Sequence, residues 1–407
     1  MSDPNSKPSI AILGAGPTGL EAALAAAEAG FPFTLYEAAP HAAGHVRAWG
    51  HVRLFTPWDL NVSPRMRRHL QAAGAEVPSG HECPTGDELA DRLFDPLAAL
   101  PEVAPHLRLG TRVLGIGREG LLKHEEIATP ERGQRPFRIL LGDDSGREWT
   151  EKADLVIDTT GTYGQPNTLG DGGIPAPGEK PLGAEIRRAI PDLSREADDW
   201  AGRTVLLAGA GHSAQTAARD LAALAREAPG TRVVWALRKG DGSDGDIAGW
   251  GSHEGDSLPE RARLAAEAAA LAGGASPAVE TRRGVVVEEL SRPNGRLRVV
   301  LRNGQGSETL EVDRVLSLTG SVGDHGLYRQ LQVHECYATC GPIKLSAALL
   351  GAGGGSDCMA QTTHGADTLT NPEPGFFILG SKSYGRNNTF LMRIGWEQVG
   401  EVFGLLG

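Results

Sequence analysis

Apolar residues fall in short unbroken runs, separated by glycine-rich or polar segments. Residues 9–13 (SIAIL), 33–36 (FTLY), 203–208 (RTVLLA), 231–237 (TRVVWAL) and 375–380 (GFFILG) are such runs. So are 154–161 (DLVIDTTG) and 313–320 (DRVLSLTG). This is the pattern of parallel strands buried on both faces. Alanine-rich stretches predict helices over about 20–29 and 214–226. Gly30 stops the first, and Pro229-Gly230 stops the second. A further helix over 85–100 is predicted from Thr85 as its cap, with acids in the first turn. Residues 137–150 and 297–311 are polar and β-rich. Strand–helix–strand alternation of this kind predicts an α/β protein.

Two of the strand–helix junctions carry chemistry. The first reads Gly14-Ala15-Gly16-Pro17-Thr18-Gly19 and leads through a helix to a strand ending in Glu37. Gly14 suits the tight turn and Gly16 lets a pyrophosphate approach the backbone. Gly19 lets helix and strand pack closely, and an acid at the next strand end accepts hydrogen bonds from a ribose. The helix N-terminus adds free N–H groups and a positive dipole end. The second reads Gly209-Ala210-Gly211-His212-Ser213-Ala214, with Ala214 in place of the third glycine. Its following strand ends in Arg238-Lys239. Cations there suit a 2′-phosphate, so NADPH is expected over NADH. Each junction is followed by a strand ending in Thr-Gly, at Gly161 and at Gly320.

Composition narrows the partners. The chain has 407 residues, net charge −11 and no basic stripe, which argues against nucleic acid and anionic membranes. No run of 18 apolar residues exists, so no membrane span is expected. The first residues are polar, without the apolar core of a secretion signal, and a cytoplasmic setting is the expectation. The 55 glycines show no collagen period.

Two dinucleotide junctions, each with its Thr-Gly strand, make the chain resemble the two-dinucleotide-binding-domain flavoproteins. That group includes flavin-containing monooxygenases and thioredoxin-reductase-like enzymes. The resemblance implies an α/β fold of two Rossmann-like domains, with an NADPH domain inserted into a split FAD domain. The expected bounds are 1–170, 195–320 and 321–407, with a flavin- and substrate-covering insertion at about 41–108. FAD is then expected at Gly14, Gly16, Pro17, Thr18, Gly19, Glu37, Gly161, Gly380, Ser381 and Asn388. NADPH is expected at Gly209, Gly211, His212, Ser213, Ala214, Arg238, Lys239 and Gly320. A helix over 393–405 is expected to cap the flavin. Two departures stand out. Gly380 is followed by Ser381 where the reductases have aspartate, and residues 173–202 hold no histidine where a monooxygenase signature has one.

The reaction expected from the resemblance is oxygenation of a small-molecule substrate by O₂, with NADPH reducing the flavin. Candidate ring-side or pocket groups are His51, Trp58, Asn61 and Trp49 in the insertion. Lys382 and Arg386, on a polar loop after the last strand, are candidates to stabilise an anionic flavin. The stretch 240–255 is expected as a loop over the nicotinamide. The four cysteines are Cys83, Cys336, Cys340 and Cys358, and 203–320 contains none. On a helix, Cys336 and Cys340 would share a face and form a redox pair, or a soft-metal site with Cys358. Packing thiols in a Gly/Ala-rich core are the other reading. An NADPH-linked thiol, disulfide or metal reductase therefore stays open, as do a non-catalytic FAD sensor and a homodimer.

Overall fold

The computed structural model describes residues 7–238, 257–351, 359, 361–387 and 389–407. Lys239, the 240–255 stretch, Cys358 and Asn388 lie outside them. The chain divides into two compact units, Met1–Gln165 with Val322–Gly407, and Pro166–Ser321.

The first unit is built on a five-stranded parallel sheet. Its order is Phe376–Ile378, Leu155–Asp158, Ile10–Leu13, Phe33–Tyr36, Leu107–Arg108. The three central strands are apolar because both faces are covered. An antiparallel sheet of Arg112–Arg118, Phe137–Gly142 and Glu148–Ala153 accompanies it. The second unit repeats the plan. Its parallel sheet runs Val279–Arg283, Arg232–Leu237, Thr204–Ala208, Arg314–Ser317, Ile186–Arg187. Its antiparallel sheet is Val286–Ser291, Leu297–Asn303 and Gly306–Val312. The α/β class expected from the apolar runs is the one observed. No described helix is long and apolar enough to cross a membrane.

Helix Pro17–Glu28 opens with Pro17 at its first position, where the missing N–H costs nothing. Leu20 and Leu24 are fully buried on one side. The predicted helix over 393–405 is found as Met392–Leu406 and shares that core through Ile394, Val399 and Val402. The insertion folds as short helices laid on the same body. Ser63 caps Pro64–Ala72 by accepting the Met66 N–H, and its hydroxyl donates to buried Glu21 at 2.6 Å. Thr85 caps as predicted, in a reciprocal capping box with Glu88. The helix it starts is not uniform. Gly86–Leu89 passes into a π turn, Ala90–Phe94, before Asp95–Ala98. Periodicity alone does not reveal such a turn.

Two charged knots hold the first unit. Glu373 is fully enclosed and receives Arg118 Nε at 2.6 Å and Arg132 Nη2 at 2.8 Å, both also enclosed. Arg118 additionally donates to the carbonyls of Arg135 and Pro374 and covers the Phe137 ring at 3.6 Å. Glu28 binds Arg65 Nε (2.7 Å), Arg68 Nη2 (2.8 Å) and His69 Nε2 (3.1 Å), joining two helices. Partial burial would raise the Glu28 carboxyl, but these donors pull it down to about 2.

Replacing Glu373 by Gln leaves two buried guanidinium groups without a counter-charge. The expected loss is about 3–5 kcal/mol, read as a lower urea midpoint at unchanged slope; an unchanged midpoint would refute it. The Glu28 pairings contribute stability above the unfolded carboxyl value of 4.5 and lose it as pH falls towards 2. Glu28→Gln should therefore flatten the acid limb of the melting-temperature profile between those values, and an unaltered limb would count against it.

Candidate functional site

The first cradle lies where Ile10–Leu13 turns into helix Pro17–Glu28. Gly14 has φ +92°, and a Cβ there would sit 3.0 Å from the Thr159 carbonyl. A Cβ on Gly19 would meet the Gly14 carbonyl at 1.8 Å, so strand and helix touch through that position. Gly16 differs: among the described residues nothing stands within 4 Å of where its Cβ would be. Its missing side chain leaves room outside the protein body, as a pyrophosphate cradle requires. Thr159 closes the turn from the neighbouring strand, its hydroxyl reaching the carbonyls of Leu13 (2.7 Å) and Gly14 (3.0 Å).

Glu37 holds this loop as well as standing at the strand end. It accepts the Ala15 N–H at 2.8 Å and the Ala39 N–H at 2.9 Å, one on each oxygen. Each oxygen keeps a lone pair for a hydroxyl donor. Ala43, in a left-handed conformation (φ 55°), donates its N–H to the Ala15 carbonyl at 2.9 Å. The insertion thus starts directly on the cradle. From there His45 and Trp49 approach Tyr163, with ring centroids 5.9 and 6.5 Å away. Tyr163 follows Gly161 at the carboxyl end of Leu155–Asp158, the edge where open α/β sheets place ligands. Among the described residues, Trp49 Nε1 and His51 Nε2 are buried without a hydrogen-bond partner. Buried polar atoms normally have one, so a ligand polar group suits this place.

Other expected residues sit differently. Trp58 belongs to the core, 4% exposed, with Arg92 over its ring at 5.2 Å. Asn61 is 1% exposed and its amide is consumed locally. Oδ1 accepts from the Thr56 hydroxyl at 2.7 Å and Nδ2 donates to the Thr56 carbonyl at 2.8 Å. It shapes a loop instead of facing a ring. Thr18 is also buried, wedged between Gly380 and Gly395, where a Cβ would approach its hydroxyl to 2.9 and 2.6 Å.

The segment after the last strand is not a polar loop. It is a short enclosed helix, Ser381–Tyr384. Lys382 Nζ meets Asp158 Oδ2 at 2.6 Å and Thr160 Oγ1 at 3.1 Å, with both members of the ion pair fully buried. Lys382 is thus committed to Asp158 and does not face outward. Tyr328 lies 5.0 Å from the ammonium; its hydroxyl pKa is raised by burial and by the Asp158 charge. Gly380 (φ +75°) donates its N–H to Gln398 at 2.8 Å, and Gln398 donates to Ser383 at 3.0 Å. Ser381 lies beside Gly161, its hydroxyl oxygen 3.6 Å from that glycine's notional Cβ. Arg386 is exposed and its Nε donates to Cys340 Sγ at 3.3 Å.

The second cradle repeats the first. Gly209 has φ +131°, and a Cβ there would strike the Leu318 carbonyl at 2.2 Å. Gly211, like Gly16, has no atom of the described residues within 4 Å of where its Cβ would be. Ala214 is buried and its methyl lies 3.4 Å from the notional Cβ of Gly209. The third position here therefore tolerates one methyl. His212 and Ser213 begin helix His212–Glu227, and Ser213 is exposed. Trp235 Nε1 supports the loop through the Gly209 carbonyl at 2.8 Å. Asn167, without a signal in the sequence, locks the Thr-Gly end. It donates to the carbonyls of Thr319 (3.0 Å) and Gly320 (2.9 Å). Arg238 follows strand Arg232–Leu237 and is exposed.

Cys336 and Cys340 lie in a turn, not on a helix. Among the described residues no group of three or more His, Cys, Asp or Glu gathers as a metal site.

Two parallel-sheet units, each with its own glycine cradle and the second inserted into the first, define the fold of the two-dinucleotide-binding-domain flavoproteins. Residues 12–65 match the model of the NAD(P)-binding Rossmann-like domain family. Among solved structures the chain is similar to bacillithiol disulfide reductase from Bacillus cereus. They share 16% identity over 98% of this chain and 99% of that one, with TM-score 0.68. It is also similar to thioredoxin reductase from Lactococcus lactis (16% identity, 98% of each chain, TM-score 0.59). The reduced ornithine hydroxylase of Pseudomonas aeruginosa is another such structure (16% identity, 98% of each chain, TM-score 0.60). No curated protein matches the chain.

Gly16→Val should fold normally, since its space is open and its φ is −82°, yet fail to retain a dinucleotide. Gly19→Val should lose stability outright. Equal melting temperatures for the two variants, or dinucleotide retention by Gly16→Val, would contradict this placement of the cradle.

Proposed function

We propose that the chain is an FAD- and NADPH-dependent oxidoreductase, and within that class a monooxygenase of a small molecule. The first unit holds FAD and the second NADPH. The duplicated cradle carries this reading: both Gly16 and Gly211 are open on the side a pyrophosphate would occupy. Glu37 accepts from the FAD ribose with its remaining lone pairs, and Arg238 meets the 2′-phosphate of NADPH. When bound, the two cofactors supply hydride transfer and activation of O₂.

The chain's own groups do the positioning. The first amides of helices Pro17–Glu28 and His212–Glu227 receive phosphate oxygens. His45, Trp49 and Tyr163 form an aromatic wall beside the first cradle and exclude water from one face. Trp49 Nε1 and His51 Nε2 supply polar contacts to ring or substrate. The monooxygenase reading is supported by the absence of any cysteine from residues 203–320, where a dithiol of a reductase would stand. One observation favours a second reading, an NADPH-linked thiol or disulfide reductase: Cys336 and Cys340 share a turn in the first unit.

The test is anaerobic mixing of the FAD-loaded chain with NADPH, followed by oxygen and a panel of small amines and sulfides. NADPH should bleach the flavin, and oxygen uptake should match oxygenated product. Arg238→Glu should raise the KM for NADPH roughly ten- to hundredfold, the equivalent of about 1.5–3 kcal/mol, and leave that for NADH almost unchanged. A flavin that neither nicotinamide bleaches would overturn the oxidoreductase reading. Turnover only with disulfides, lost in Cys336→Ser, would replace the monooxygenase by the reductase.

A further inference from the structure

Cys336 and Cys340 close the two ends of one tight turn in the first unit. The Cys336 N–H donates to the Gly341 carbonyl at 2.8 Å, and the Cys340 N–H donates to the Cys336 carbonyl at 2.7 Å. Glu335 and Pro342 pair just outside. A hydrogen bond from residue i+4 to residue i spans one α-type turn, which sets the two Cα atoms about 6 Å apart. A disulfide bridges Cα atoms about 4.4–6.8 Å apart. Tyr337, at the tip between them, is 98% exposed, so the tip of the turn projects into solvent, while Cys336 itself is 6% exposed and Cys340 is half-buried.

Each thiol has a donor of its own. Cys336 is held below the usual thiol range by the Thr339 N–H, the Thr339 hydroxyl and the Ala338 N–H. Cys340 has a left-handed backbone (φ 58°), unusual for a side chain of this kind, and its sulfur accepts from Arg386 Nε at 3.3 Å. The geometry is fixed from several sides. Arg386 N–H donates to the Thr339 carbonyl at 2.6 Å, and a Cβ on Gly385 would strike that carbonyl at 2.0 Å. The Thr339 hydroxyl meets the buried Ser346 hydroxyl at 2.6 Å. Neither cysteine is bridged in this structure. The turn thus carries two anchored thiols, one beside backbone amides and one beside a guanidinium.

We infer that Cys336 and Cys340 form a peroxide-driven, reversible disulfide, a modification site distinct from the dinucleotide cradles. The Cys336 thiolate attacks one oxygen of hydrogen peroxide. The S–O bond forms, the O–O bond breaks, and the departing hydroxide takes a proton to leave as water, giving a sulfenic acid. Cys340 Sγ then attacks Cys336 Sγ. The S–S bond forms, the S–O bond breaks, and a second water leaves with the Cys340 proton. Two thiols and one peroxide become one disulfide and two waters, the electrons passing from sulfur to oxygen. Arg386 Nε, donating to Cys340 Sγ at 3.3 Å, fixes the position of that sulfur for the second step. Externally added peroxide suffices, so the site does not depend on which reading of the flavin chemistry holds.

Tryptic cleavage after Arg329 and Lys344 puts both cysteines on one peptide, 330–344. The FAD-loaded full chain is treated with hydrogen peroxide, alkylated, digested and weighed. The expected peptide is unalkylated and two hydrogens lighter, and gains two alkyl groups after dithiothreitol. In Cys336→Ser the peptide should be alkylated once, at Cys340. Arg386→Gln, with melting temperature and spectrum checked against the parent, should form the bridge several-fold more slowly. Two alkyl groups on this peptide at a peroxide dose that already oxidises Cys83 would overturn the proposal. So would a bridge from either cysteine to Cys83 or Cys358. Flavin reduction by NADPH, measured on the same sample, reports separately on the proposed function.

Discussion

Lys382 and Asp158 are both enclosed, and the first unit is organised around keeping them together. Asp158 ends the strand beside the first cradle; Lys382 comes from the chain that returns after the second unit. A single charge left in such a place costs several kcal/mol, so neither partner is tolerable without the other. The surroundings follow from this. Thr160 gives its hydroxyl and its N–H to Asp158 while accepting from Lys382. Gly323 has no side chain because a Cβ would sit 2.5 Å from Lys382 Cγ. Gln398, from helix Met392–Leu406, fixes the short helix that carries the lysine. The Thr-Gly turn next to the cradle is therefore positioned by a charge pair and not by packing alone.

The two units solve the same problem with different fastenings. In both, a positive-φ glycine starts the cradle and backbone from a neighbouring strand end closes over it, Thr159 in one and Leu318 in the other. The first unit secures that neighbour through a buried ion pair. The second uses Asn167, which spans Thr319 and Gly320, and Glu179, which takes the N–H groups of Leu169 and Ala176 and pairs with Arg188. Glu179 is pulled below the ordinary carboxyl range by those donors in spite of its burial. Uncharged and charged clamps thus serve one backbone geometry.

The frame was legible because it rests on local rules. Apolar runs marked seven of the ten parallel strands to within three residues at each end, and missed the edge strands Leu107–Arg108, Ile186–Arg187 and Val279–Arg283; glycine spacing marked both strand–helix turns. What escaped was set by contacts and backbone conformations that residue type and spacing do not encode. Trp58 and Asn61 carry the residue types of a ring-side pocket, yet Trp58 is drawn into the core and Asn61 is consumed by Thr56 five residues away. Lys382 lies among polar residues and reads as a loop cation; only the approach of Asp158, 224 positions earlier, explains its burial. The cysteine spacing suggested a helix because spacing carries no information on Cys340 adopting positive φ. Trp49 and His51 were legible as types, and their orphaned ring nitrogens became visible only once the insertion had folded over the cradle.

The split of the first unit has a consequence for the order of events during synthesis. Its sheet is left with an open edge at Leu155–Asp158 until Phe376–Ile378 emerges. Until then Asp158 lacks Lys382, and Arg118 and Arg132 lack Glu373. The second unit, continuous from 166 to 321, contains all of its own strands and clamps and is complete well before that point. Its strand pairings need nothing from residues beyond 321, whereas those of the first unit need residues 376–378. A chain that lacks that last strand carries an unpaired sheet edge, the kind of surface on which chains aggregate.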